Sequence, residues 1–92
     1  MNYFVEWRAA AHERLEQIWM AAADRRDVLR AANRLDYLLA NNPHLDEATQ
    51  LGEGEGKLIV EPLAVDFKLS ETERKVFITS VWMIGHLHDD EP

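Results

Sequence analysis

The sequence predicts an α+β domain with the element order β-α-α-β-β-β, an antiparallel sheet carrying a helical hairpin on one face. Three observations point there. A period-two apolar opening comes first, two apolar stripes at helical spacing follow, and a glycine-spaced polar stretch then feeds three β-rich segments.

The opening Tyr3-Phe4-Val5-Glu6-Trp7 places Tyr3, Val5 and Trp7 on one side of a strand, with Phe4 and Glu6 on the other. Beyond it the period changes. Ala11, Leu15, Ile18 and Ala22 recur at helical intervals, with Trp19 beside them, which predicts an amphipathic helix from Arg8 to Ala23. Glu13, Glu16 and Gln17 fall elsewhere on its circumference and face water. Asp24 is suited to cap a second helix, because its carboxylate can accept from the unpaired first amides, and Asp27 adds negative charge near the same end. Val28, Ala31, Ala32, Leu35, Leu38 and Leu39 form the second stripe, which Asn41-Asn42-Pro43 ends, since the residue before proline resists helical geometry. Two helices of similar length with a tight junction imply an antiparallel hairpin.

His44 to Gly56 reads as a flexible polar connector. Its glycines at 52, 54 and 56 lack the GxGxxG spacing and the lysine and hydroxyl of a phosphate loop, and Glu53 and Glu55 would repel an anion. Lys57 to Glu61 is a short apolar strand. After Pro62, Leu63, Val65, Phe67 and Leu69 alternate with Ala64, Asp66 and Lys68. The polar turn Ser70 to Glu73 leads into the β-rich Lys75 to Ile84. Short turns between these strands require antiparallel pairing.

The 92 residues suit one domain, 1–92, with a flexible tail over 86–92. No cysteine is present, which excludes a disulfide framework and thiolate chemistry and fits a cytoplasmic setting. No apolar run approaches the roughly 18 residues needed to cross a bilayer. Met1 to His44 holds six arginines and six acids, whereas Leu45 to Pro92 holds four basic residues against eleven acids, so the whole net charge of −7 lies in the second half. Such a half repels nucleic acid unless its few cations share one face, and it favours a protein partner. No motif asks for a cofactor or a resident metal.

Tyr3-x-Val5-x-Trp7 before an alanine-rich helix, a second helix ending near Asn42-Pro43, a glycine loop and Leu58-Ile59-Val60-Glu61-Pro62-Leu63-Ala64-Val65-Asp66-Phe67-Lys68-Leu69 occur in that order. Over most of its length the chain therefore resembles the RelE/ParE toxin family of bacterial toxin–antitoxin systems. The resemblance implies one of two activities. The RelE-like branch cuts messenger RNA on the ribosome with basic sheet residues and a late tyrosine or histidine, and the ParE-like branch binds DNA gyrase. In both, an antitoxin chain wraps and neutralises the toxin.

Carried over residue by residue, the family's strand arginine falls on Ala64 and its late basic pair falls near Met83 and Ile84. The late tyrosine has no counterpart. Cleaving RNA requires stabilising a dianionic phosphorane, which fixed cations usually supply. The expectation is therefore a RelE/ParE-like toxin, or a catalytically reduced relative, that binds an antitoxin or a second copy of itself, with nucleic acid disfavoured. The alternatives are a ribosome-dependent endoribonuclease and a non-toxic scaffold of the same fold.

The candidate residues follow. Lys57 and Lys68 are the remaining sheet cations, read either as partner contacts or as solvated edge lysines. Arg74 and Lys75 are read as pairing within their turn with Glu71 and Glu73. His86 and His88 could share a strand face and act as acid–base groups, or with Asp89 or Asp90 hold a metal, or belong to a polar tail. Arg26, Arg30 and Arg34 recur every four residues beside Tyr37, as a docking stripe for an acidic partner or as cross-hairpin pairs with Glu13 and Glu16. Trp82, if exposed, marks a protein interface.

Overall fold

The computed structural model describes residues 3–41, 49–52 and 54–84. Strand β1 (Phe4–Trp7) leads into helix α1 (Ala9–Ala21) and helix α2 (Arg25–Asn41), followed by β2 (Thr49–Gly52), β3 (Glu55–Val60), β4 (Leu63–Ser70) and β5 (Lys75–Met83). The five strands form one sheet in the order β1-β5-β4-β3-β2.

The helical hairpin forms where the periodicity places it. The Asp27 amide donates to the Asp24 carboxylate at 3.2 Å, so Asp24 caps α2 as expected. At the other side of the junction Arg25 donates to the carbonyls of Trp19 and Met20, at 3.2 and 3.0 Å, and satisfies the open end of α1. The stripe of α2 (Val28, Ala31, Ala32, Leu35, Leu39) packs with Ala11 and Ile18 of α1 against Leu58, Leu63, Val65, Phe67, Val76, Ile78 and Val81. Both helices thus cover one face of the sheet. Tyr3, Val5 and Trp7 pack at the rim of this core, and the Trp7 indole donates to Asp36 at 2.8 Å.

Two features differ from expectation. The sheet is mixed, because β1 lies parallel to β5 while β2 to β5 are antiparallel. The short-turn rule governs only strands adjacent in sequence; β1 reaches its partner across the rest of the chain and is free to lie parallel. Part of the stretch read as a connector is also strand. Thr49–Gly52 pairs with β3, which itself begins at Glu55, and Gly54 turns the chain between them with a φ of 74°. Gly56 has a packing reason: a β-carbon there would stand 2.6 Å from the tip of the Phe67 ring.

A β-bulge shapes the last strand. Asp66 pairs with Ser80 and Phe67 with Ile78, so Thr79 is the extra residue, and its hydroxyl donates to the Asp66 carbonyl at 3.3 Å. Val76 and Ile78 point to the core. Past the bulge the alternation changes phase, so Val81 takes the core side and Trp82 the opposite one.

Candidate functional site

The sheet face turned away from the helices is built by alternation. Cross-strand register sets out its rows: Ile59, Ala64 and Trp82; Lys57, Asp66 and Ser80; Glu55, Lys68, Phe77 and Glu6; Ser70, Lys75 and Phe4. Lys57, Lys68 and Trp82 therefore come together on one surface. His86 and His88 lie outside the described residues, as does the expected tail.

Arg8 joins this surface, and sequence reasoning read it only as the start of a helix. Its guanidinium lies 4.5 Å from the centre of the Phe77 ring. The signal was the strand period, since residues 4, 6 and 8 share a face. Arg8, Phe77, Lys68, Glu55 and Ser70 line a shallow cleft of about 320 Å³.

Four of the ten basic side chains thus gather here, each already engaged. Lys68 stands 3.7 Å from Glu55 and Lys75 3.9 Å from Glu6. Lys75 was expected to pair within its turn; the parallel β1 brings Glu6 to it instead, while Arg74 keeps the local pairing with Glu71 at 3.9 Å. The Lys57 ammonium lies 5.1 Å from the centre of the half-buried Trp82 ring. Exposed pairs of this kind are worth about 0–1 kcal/mol, so a polyanion could take the lysines over. What it could not remove is the carboxylates. Glu6, Glu55 and Asp66 remain, and the face as described offers four cations against three acids.

Ala64, the residue on which the resemblance sets the family's strand arginine, is 1% exposed, between its cross-strand neighbours Ile59 and Trp82. Among the described residues no fixed cation stands at the centre of the face. Asp66 stands one row away, its Oδ1 buried and without a hydrogen-bond partner among the described residues. No cluster of three potential metal ligands occurs among the described residues. No described helix is long and apolar enough to cross a membrane.

The arginine stripe of α2 is on the far side of the molecule. Its members do not pair across the hairpin with Glu13 or Glu16. Arg30 reaches Asp27 at 2.7 Å and the Glu61 carbonyl at 2.8 Å, because the hairpin leans on the β3–β4 turn. Arg34 lies 5.8 Å from the Tyr37 ring centre, Arg26 makes no ion pair among the described residues, and Glu16 is 3.8 Å from His12.

No protein-family profile and no curated protein sequence matches the chain. Solved structures do. A RelBE toxin–antitoxin complex of Mycobacterium tuberculosis contains a chain matching with a TM-score of 0.72 at 15% identity, over 90% of this chain and 92% of that one. The isolated RelE toxin of E. coli matches at 0.67 and 15% identity, over 91% and 86%. The archaeal RelE–RelB complex of Pyrococcus horikoshii matches at 0.59 and 15% identity, over 94% and 99%. Likeness at this level of identity concerns the course of the backbone: the chain has the RelE toxin fold.

Proposed function

We propose that the protein is a RelE-like toxin, or a catalytically reduced relative of one, that acts by binding protein and is held by an antitoxin. One observation carries this reading. On the open sheet face Ala64, on which the resemblance sets the family's arginine, is closed between Ile59 and Trp82, with the Asp66 carboxylate one row away. A phosphorane would meet carboxylates where it needs fixed positive charge. A protein partner meets the half-buried Trp82, with the Lys57 ammonium 5.1 Å from its ring centre, and tryptophan is a residue enriched at interfaces. A ParE-like action on gyrase is the version of this reading that needs no hydrolytic centre.

The test is inducible expression combined with an in vitro assay. Growth arrest, relieved by co-expressing a short neighbouring gene, together with intact ribosome-bound message in a single-turnover reaction, is the expected result. Cleaved message would overturn the reading, and normal growth would favour the non-toxic scaffold.

The endoribonuclease reading is kept by one specific feature. Arg8 brings a guanidinium onto the open face beside Lys68, over a ring on which a base could stack. Under that reading His86 or His88 supplies the acid–base group, with Lys57 and Lys68 against the phosphate. Cleavage lost on changing both histidines to alanine would establish it.

A further inference from the structure

Two side chains on the open sheet face compete for one cation. Asp66 lies between Lys57 and Ser80 across the strands, yet its Oδ1 is buried and accepts no hydrogen bond among the described residues. A buried acceptor without a donor carries the full desolvation penalty of its group. Lys57 is the direct cross-strand neighbour of Asp66, close enough for the two side chains to meet. Its ammonium lies instead 5.1 Å from the centre of the Trp82 ring, in the adjacent row. One lysine can serve the ring or the carboxylate, not both.

The two positions differ in access. The Asp66 Oδ1 is closed to solvent, so only a side chain rooted on the sheet can come to it. Trp82 is half-buried, in the row of Ile59, which is 44% exposed, so part of its side chain is open to an incoming group. A partner can therefore replace Lys57 on the ring but not at the carboxylate. Lys57 then crosses to Asp66. That move gives the buried oxygen its donor and relieves the repulsion between two neighbouring cations.

We propose, on the reading that this face binds protein, that Trp82 receives an arginine of a basic partner and that its arrival sends Lys57 onto Asp66. A guanidinium suits the ring better than an ammonium, because it is planar, weakly hydrated and stacks on aromatic faces. The charge of the chain points the same way. Residues 45–92, which contain β2 to β5, hold the whole net charge of −7, so a partner rich in Lys and Arg is attracted to them. A second copy, with the same charge, is repelled. An anionic partner loses by the exchange, since Lys57 on Asp66 is no longer available to it.

The probes are random dodecapeptides displayed and panned on the full chain, after removal of those that bind Trp82→Leu. Selected peptides are expected to share an arginine, and its replacement by glutamine should weaken binding about tenfold. In the free chain the Trp82 ring current shifts the Lys57 ε-methylene protons upfield. Saturation with a selected peptide should return them towards their ordinary position. Asp66→Asn keeps an oxygen acceptor but removes the charge that draws Lys57 across, so it should weaken the same peptides several-fold. If Trp82→Leu does not fold, the Lys57 proton shifts and Asp66→Asn carry the test without it.

The proposal is overturned if the selected peptides show no preference for arginine, if the Lys57 protons stay upfield on binding, or if Asp66→Asn leaves affinity unchanged. Peptides that bind the face in any of these ways leave the protein-binding reading standing. If no peptide binds the face and a single-stranded oligonucleotide does, both fail. A free chain that sediments as a dimer, dissociated by Trp82→Leu, would assign the ring to a second copy and equally overturn the proposal.

Discussion

Gly56 of β3 lies directly across from Phe67 of β4, and the ring fills the space where any other residue would carry its β-carbon. Phe67 is 3% exposed and belongs to the core between sheet and hairpin. The ring has little room to retreat. Gly56→Ala should therefore destabilise the fold by about 1–3 kcal/mol through overpacking. Urea denaturation checks this, and an unchanged midpoint would show that the ring swings aside freely.

Asp24 is the side-chain cap of α2. Asp24→Ala should cost about 1 kcal/mol and Asp24→Asn much less, because the amide oxygen can still accept from Asp27. Parallel denaturation curves for the two variants give the comparison. Equal loss in both would point to charge rather than the hydrogen bond as the cause.

The carboxylates of the open face should control its affinity for polyanions. The triple variant E6Q/E55Q/D66N leaves four cations unopposed there. Single-stranded RNA should then bind with a steep loss of affinity as salt rises, while the unaltered chain binds weakly with little slope. Fluorescence anisotropy at two salt concentrations separates these outcomes, and equal binding by both proteins would contradict the role given to the acids.

Tyr3 offers a pH signature. Its hydroxyl donates to Glu71 at 2.8 Å, and this bond, with desolvation and the Glu71 charge, raises its pKa above the ordinary 10.0 against the lowering effect of Arg74. The neutral phenol is the form favoured by folding. The contribution is accordingly complete below pH 10.0 and lost as the pH climbs through the raised midpoint. In a Tyr37→Phe background, ultraviolet titration should place the Tyr3 transition above 10.0, and Glu71→Ala, which removes the acceptor, should bring it down. A midpoint insensitive to Glu71→Ala would rule out the bond as the cause.

The helices were legible in the sequence because their signals are local: apolar residues at intervals of three and four, a capping Asp24, a proline beyond the end. The alternation of β4 was legible for the same reason, and it placed Lys68 off the core correctly. What escaped was non-local. The parallel seam of β1 with β5, and so the Lys75–Glu6 contact, depends on a pairing that no short window contains. The strand Thr49–Gly52 has too few apolar residues to stand out from a polar loop. Trp82 follows from the bulge at Thr79, which alters phase without any glycine or proline to mark it. Of the candidate site, the exposed Lys68 was readable from alternation and the half-buried Lys57 from the resemblance, while Arg8 was missed because a helix start was read where a strand period still ran.

The partnership of β1 with β5 has a consequence for how the molecule comes into being. Phe4 finds Lys75 about seventy residues further along, so closing the sheet costs the entropy of the whole intervening loop and delays folding. During synthesis the hairpin leaves the ribosome well before the strands that will shelter its inner stripe. Until Val76, Ile78 and Val81 emerge, that stripe is exposed to whatever else is nearby in the cell. A nascent chain stalled before Lys75 is thus a sticky pair of helices, and a binding partner able to grip the hairpin early would also act as its chaperone.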